Sequence, residues 1–362
     1  MTLHLNFYIF ARLNQSNFIM KKLFLGMTAL VMLASCKNDP ETEMPANSQN
    51  QTTLNASTDA TARLCPSEEI RQNLLQTDAS ALRRYNSIEA MSANFEKQAS
   101  ASRQLGGMAV LPDGTVEIPV VFNVIYNTAA DNLSDAILQE QIDILNKDYS
   151  GTNSDVSKIP TEFVPVKAGD VKVKFKLATV NRKQNSKTSW SYTNDAMKKA
   201  STGGIDATDP SKNLNFWIVN TMPSSSGEIL GYATFPESAG LWNDGVVLGR
   251  RYVGKTGASA PFNLGRTATH EIGHYLNLRH IWGDGSGCAT DYCDDTPVQP
   301  SASTGDPVYP KYGTCGGVKR SLMFMNYMDY SNDASLYMFS ANQKARMQAT
   351  TASNGPRAGL RS

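Results

Sequence analysis

Apolar positions along this chain fall into a few distinct patterns. Val116 to Tyr126 (VEIPVVFNVIY) is rich in β-branched residues and apolar almost throughout, as a buried strand is. Val171 to Val180 alternates valine, phenylalanine and leucine with lysine, which predicts a strand with one wet face. Leu214 to Asn220 (LNFWIVN) is another apolar strand, and Gly231 to Phe235 and Val246 to Tyr252 are shorter ones between Gly- and Asn-rich turns. Helical spacing takes over elsewhere. Ser134 N-caps a helix whose Ile137, Leu138, Ile142, Leu145 and Tyr149 share one face. Further helices are predicted over Gly265 to Leu278 and, behind a Ser340 cap, over Ala341 to Thr351. The Gly-, Asp- and Pro-rich stretch from Gly283 to Lys319 reads as irregular, and the sequence has no internal repeat. The order β-α-β-β-β-β-α followed by loops predicts an α+β fold built on one mixed sheet.

The N-terminal part is built differently. Between Leu64 and about Ser102, Leu74, Leu75, Leu82, Tyr85, Ile88 and Phe95 stand at helical spacing in otherwise polar sequence. Residues 63–103 are therefore expected to form one or two helices with little core of their own. Ala99 to Gly107 (ASASRQLGG) reads as a small-residue linker of the kind proteases cut, with a domain boundary there. Upstream, Met20 to Cys36 (MKKLFLGMTALVMLASC) joins Lys21 and Lys22 to an apolar run too short to span a bilayer. It ends in Leu33-Ala34-Ser35-Cys36, which resembles the lipobox of bacterial lipoproteins and implies a lipid anchor to the membrane on Cys36. An ordinary cleaved signal is the alternative. Residues 1–36 are thus upstream sequence and export signal with the start at Met20, and 37–62 read as a flexible polar tether.

Composition narrows the function. The 362 residues carry a formal net charge of +1, and 41% of them are hydrophobic. A sizeable core can form, and the near-neutral charge leaves no footprint for a polyanion, so no nucleic-acid partner is expected. Histidine is used sparingly: His4, His270, His274 and His280 are the full set, and His4 lies upstream of Met20.

The remaining three fall in His270-Glu271-Ile272-Gly273-His274-Tyr275-Leu276-Asn277-Leu278-Arg279-His280. His270 and His274 are i and i+4, so on a helix they can share a metal ion while Glu271 reaches a water on it. His280 can join them only if the helix stops and turns sharply, with a left-handed residue near position 277. Asn277 is the non-glycine residue that best tolerates that conformation. The bland alternative, a helix with three unrelated histidines, leaves this ordered spacing to chance.

The pattern H-E-x-x-H-x-x-N-x-x-H, followed by Ile281-Trp282-Gly283-Asp284, resembles the metzincin zinc metallopeptidases and, among them, the pappalysins. The resemblance covers about Val116 to Thr351. It implies a metzincin-type catalytic domain over 104–362, divided into subdomains 104–280 and 281–362, behind a pro-segment at 63–103. It implies zinc on His270, His274 and His280, Glu271 as the base that moves a proton from water to the leaving amine, and Tyr330 as oxyanion support. In Phe324-Met325-Asn326-Tyr327-Met328 it maps Met328 to the methionine floor under the metal, with Met325 a near competitor. Protein or peptide substrates are implied, lying along Gly231 to Phe235 as an edge strand, and a monomer is expected.

The resemblance also bears on secondary sites. It implies that Asp333 sits at the base of the pocket for the residue after the scissile bond, favouring Arg or Lys; a solvated loop aspartate is the alternative. With that pocket, the Ser102–Arg103 bond is a natural self-cleavage site. Asp291-Tyr292-Cys293-Asp294-Asp295-Thr296 packs oxygen ligands at a density that suits calcium, and the family loop supports Asp291, the Asp294 carbonyl and Thr296; an exposed acidic turn is the alternative. Asp284 is a second candidate to serve that loop. Cys288 and Cys315 are spaced like a disulfide of this family. Cys65 resembles the cysteine switch of pappalysin-like zymogens, whose thiolate takes the fourth zinc position. Ser335 stands where relatives carry another cysteine, which leaves Cys293 without that partner; a Cys65–Cys293 disulfide is the other option.

The expectation is a latent zinc endopeptidase, secreted or anchored as an outer-membrane or cell-surface lipoprotein. Two alternatives remain: an exported binding module with a structural zinc, which has no use for Glu271, and a zinc hydrolase of non-peptide amides or esters.

Overall fold

The computed structural model describes residues 60, 62–104, 114–285 and 287–361, with only the backbone for 99–104. The export signal, Cys36 and nearly all of the tether lie outside the described residues. The chain opens with helices α1 (Ser67–Thr77) and α2 (Ala79–Gln104). Asp78 parts them, its carboxylate accepting the Ser80 N–H at 2.7 Å as a helix-starting cap. The linker expected from Ala99 onward is helical as far as Gln104, because alanine and serine continue a helix at little cost. Gly106-Gly107 lie outside the described residues, and the Ser102–Arg103 bond lies in helical backbone.

The catalytic-domain expectation of one mixed sheet holds. Its strands are β1 (Val116–Tyr126), β2 (Val173–Gln184), β3 (Leu214–Val219), β4 (Gly231–Ala233) and β5 (Val246–Gly249). Their spatial order is β2-β1-β3-β5-β4; β4 runs antiparallel to β5 at one edge, and the other pairings are parallel. β1 and β3 are buried because their neighbours and helices cover both faces. β2 closes the far edge with Lys174 and Lys176 in water, which discourages pairing with another chain. Helix α3 (Asp135–Ser150), capped by Ser134, lays Leu138, Ile142, Leu145 and Tyr149 on the sheet beside Val120, Phe122 and Phe216.

Helix α4 (Arg266–Tyr275) packs under the sheet's β4–β5 end and is shorter than its periodicity predicts. Helix α5 (Ala341–Thr351) begins in a reciprocal cap between Ser340 and Gln343. The stretch expected to be irregular holds a hairpin, β6 (Tyr312–Cys315) and β7 (Val318–Ser321), turning on Gly316-Gly317. That two-residue glycine turn was its readable signal. A Cys288–Cys315 disulfide fastens the hairpin to the loop after His280.

Candidate metal centre

Helix α4 carries His270 and His274 on one face. It stops where Asn277 takes φ +75°, and the Leu278 N–H bonds back to the Gly273 carbonyl at 2.8 Å. The chain then reverses and delivers His280. The three Nε2 atoms lie 3.2 Å from one another. A tetrahedral ion with nitrogens about 2.0–2.1 Å away sets them about 3.3–3.4 Å apart, so this triangle fits zinc. Each Nδ1 has an acceptor that turns its Nε2 inward: the Tyr327 carbonyl for His270 at 2.7 Å, the Leu278 carbonyl for His274 at 2.8 Å, and the Asp284 carboxylate for His280. Asp284 thus orients a candidate ligand; as an alternative server of the calcium loop it is corrected. Burial, then the neighbouring imidazoles, lowers the pKa of His270 and brings His274 to about 3, the neutral form that metals bind.

Beneath the triangle lies Met328. A Cβ built on Gly273 would stand 2.3 Å from its sulfur, so only glycine lets α4 approach that close. Met325 packs away from it, in a separate cluster with Phe163, Ile281 and Tyr337.

A fourth protein atom faces the centre. Cys65 Sγ and one nitrogen from each of the three histidines all lie within 4.8 Å of one another. Cys65 and Cys293 are separate thiols, so the alternative disulfide does not form. Burial, and then the Glu271 carboxylate, pushes the Cys65 thiol up; a metal's charge acts the other way. Glu271 is buried, and burial raises it to about 7. Its Oε2 accepts from Cys65 Sγ at 3.2 Å and from Ser67 Oγ at 3.1 Å. Ser67 in turn accepts the Ala233 N–H at 2.8 Å, tying β4 to Glu271. The Tyr330 hydroxyl donates to the Cys65 carbonyl at 3.1 Å, and Trp282 stacks on His280 at 4.3 Å between centroids.

Asp333 is fully buried rather than a solvated loop aspartate. It accepts from Arg63 at 2.6 Å, from the Leu264 N–H at 2.7 Å and from the Arg266 N–H at 3.2 Å. In the acidic loop, the Thr296 hydroxyl lies 2.9 Å from both Asp291 oxygens and 2.7 Å from the Cys293 carbonyl. One hydroxyl proton cannot serve three acceptors. The carbonyl that the Thr296 hydroxyl meets is that of Cys293, and Asp294 is exposed. Burial raises Asp291 to about 7.

Sequence reasoning missed Ser67, Arg63 and the role of Asp284. Only Asp284 left a signal, as a carboxylate four residues after His280.

The Peptidase_M43 family model, described as pregnancy-associated plasma protein-A, matches residues 198–352. An extracellular metalloprotease of Verticillium alfalfae is 32% identical over 250 residues, covering 66% of this chain and 78% of that one. Its counterpart in Arthroderma benhamiae is 35% identical over 243 residues, covering 64% and 71%. Among solved structures, Tannerella forsythia mature mirolysin in complex with a cleaved peptide aligns at TM-score 0.65 and 37% identity, covering 69% of this chain and 97% of that one. Promirolysin from the same organism aligns at TM-score 0.72 and 33% identity, covering 83% and 97%.

Proposed function

This chain belongs to the pappalysin family and is a zinc metalloendopeptidase, and from that premise we propose that it is an exported zymogen that cuts peptides at the His270–His274–His280 centre. The observation that carries this reading is the convergence of three buried Nε2 atoms beside the buried Glu271 carboxylate. Zinc, when bound, supplies a Lewis acid and lowers the pKa of a water it holds to about 7. Glu271 Oε2, which accepts from Cys65 and Ser67 in the latent chain, is placed to take a proton from water and pass it to the leaving amine. The Tyr330 hydroxyl donates to the carbonyl oxygen of the bond being cut; the Cys65 carbonyl takes that donor in the latent chain.

Latency rests on Cys65 as a thiolate fourth ligand. The greater coverage of this chain by promirolysin than by mature mirolysin supports a pro-segment reading. Direction matters too. Arg63 lies on Asp333 and Cys65 on the metal centre, so the pro-segment runs from pocket to centre. A substrate with Arg or Lys after its scissile bond runs from centre to pocket. The pro-segment is thus laid backwards and offers no bond in register for cutting. Asp333 gives the Arg/Lys preference, because a buried carboxylate left without Arg63 pairs best with a cation.

Export is supported by the fungal relatives' name, extracellular metalloprotease, and the lipid anchor on Cys36 by the lipobox. Calcium on Asp291, Thr296 and the Cys293 carbonyl would give the crowded Thr296 oxygen and the buried carboxylate a common partner. Adding it to chelator-treated protein should raise the melting temperature, and Asp291→Asn should abolish that rise.

The central test uses the full chain, processed and zinc-loaded. Peptide hydrolysis should be lost with a chelator and with Glu271→Ala while that variant keeps its zinc. Retained zinc without cleavage of any peptide by the unmutated enzyme would leave the structural-zinc module standing instead. Cys65→Ala should give the unprocessed chain activity that unmutated latent protein lacks.

A further inference from the structure

We infer that Phe235 and Glu237 form a second basic-residue subsite, which takes an arginine side chain on the amino-terminal side of the scissile bond and is filled by Arg71 in the latent chain. The inference rests on reading β4 as the peptide-binding edge and Asp333 as the pocket after the bond.

Glu237 lies in the single turn Pro236–Ser238 just past β4 and is 1% exposed. Its Oε1 accepts Arg71 Nε at 3.0 Å. Its Oε2 is buried with no hydrogen-bond partner. A buried carboxylate oxygen keeps lone pairs for further donors, so the site can take more donors than Arg71 supplies. The Arg71 guanidinium also lies 4.3 Å over the Phe235 ring. An aromatic face beside a buried carboxylate is a slot for a planar cation with several N–H groups, which suits arginine above lysine.

The cations that bond Glu237's carboxylate within the described residues belong to the pro-segment alone. Arg357, which stays after processing and feels the Glu237 charge, is bonded to Asp244 at 2.8 Å and to the Tyr275 carbonyl at 2.8 Å. Departure of α1 therefore leaves Glu237 without the cation bonded to it, and with only the field of Arg357. It also removes one wall of a cavity of about 200 Å³ that lies between Ile70 and Leu74 of α1 and Leu241 and Trp242. Those last two side chains are already partly in water.

The register fixes which side of the bond this slot serves. The pro-segment follows β4 in the same direction: the Leu64 carbonyl meets the Leu230 N–H at 3.2 Å, Ser67 meets the Ala233 N–H, and Arg71 meets Glu237. Arg63 on Asp333 marks one end and Arg71 the other, with the metal centre between them. A substrate whose downstream residue enters the Asp333 pocket runs the opposite way. Its residues before the bond then pass Ala233 and reach Glu237.

The test uses the full chain, processed and zinc-loaded, and quenched fluorescent peptides with arginine after the bond. The peptides vary only at the four positions before it, each bearing Arg, Lys or Gln. At one of those positions Arg should exceed Gln by roughly tenfold or more in kcat/KM, with Lys between. Glu237→Gln should collapse that ratio, and Phe235→Leu should narrow the advantage of Arg over Lys. Asp333→Asn should erase the preference after the bond and keep the ratio before it. Absence of cleavage of every peptide would overturn the endopeptidase reading itself. Cleavage with Arg and Gln equal at all four positions would overturn the subsite alone, as would a ratio that survives both Glu237→Gln and Phe235→Leu.

Discussion

Helix α4 carries two of the metal-centre histidines, helix α2 bonds the Asn277 turn that follows it, and the two are built on opposite principles. Every one of the ten residues of α4 is buried, with Ala268, Ile272 and Tyr275 in the main core. Helix α2 has 26 residues, of which Ala81, Ile88 and Ser92 are buried among those whose side chains are described. What holds α2 is charge: Arg346 meets Glu89 at 2.8 Å and Glu96 at 2.9 Å, and Arg279 donates to the Tyr85 hydroxyl at 2.8 Å. Apolar contacts have no alternative partner in water, whereas carboxylates and guanidiniums are well solvated when separated. On the proposed pro-segment reading, the first helix stays and the second can leave without unfolding what it covers.

The largest expected effect tests the permanent side. Ile272→Ala should cost about 2–5 kcal/mol, because it opens a cavity in the core, and should lower the melting temperature of latent and processed protein alike. Arg346→Ala should cost the latent chain about 3 kcal/mol by stranding Glu89 and Glu96, and should cost the processed enzyme less, since there it loses only the bond to the Asn277 carbonyl and the contact with Tyr292. Differential scanning calorimetry of both forms separates the two; equal losses in both forms from Arg346→Ala would break the contrast. Gly273→Ala sharpens it within the core. Its new methyl meets Met328, so stability should fall by about 1–3 kcal/mol and turnover should fall with zinc still bound.

The smallest effect is a pH slope. Burial raises Glu96 in the latent chain to about 7, above its free value, so its contribution to docking is fullest below the free pKa and is lost as pH rises through about 7. Glu89, lowered beside Arg346, acts in the opposite sense at acid pH. Glu96→Gln cannot ionise. The melting temperature of that latent variant should therefore gain on the unmutated chain between pH 5 and 8. A constant difference across that window would remove Glu96 from the docking balance.

Much of the centre was legible in the sequence because its determinants are local. The spacing of His270 and His274 needs only 3.6 residues per turn, and the turn at Asn277 needs only a residue that tolerates positive φ. Strand β1 and helix α5 were readable for the same reason, from one apolar run and one cap. The reading slipped where local signals were neutral. Ala99 to Ser102 suit a linker or a helix equally, and the end of α4 depends on what packs against it.

The sequence by itself determined the metal-binding spacing, the carboxylate beside it and the order of elements that carries them, since each follows from spacing over a few residues. Only the tertiary structure decided the pairings across the cleft. Arg63 and Asp333 are 270 residues apart, Arg71 and Glu237 are 166 apart, and Arg346 and Glu89 are 257 apart. No periodicity couples positions at such distances. Their meeting depends on the packing of the whole sheet and its helices, which brings one end of the chain across the edge strand of the other.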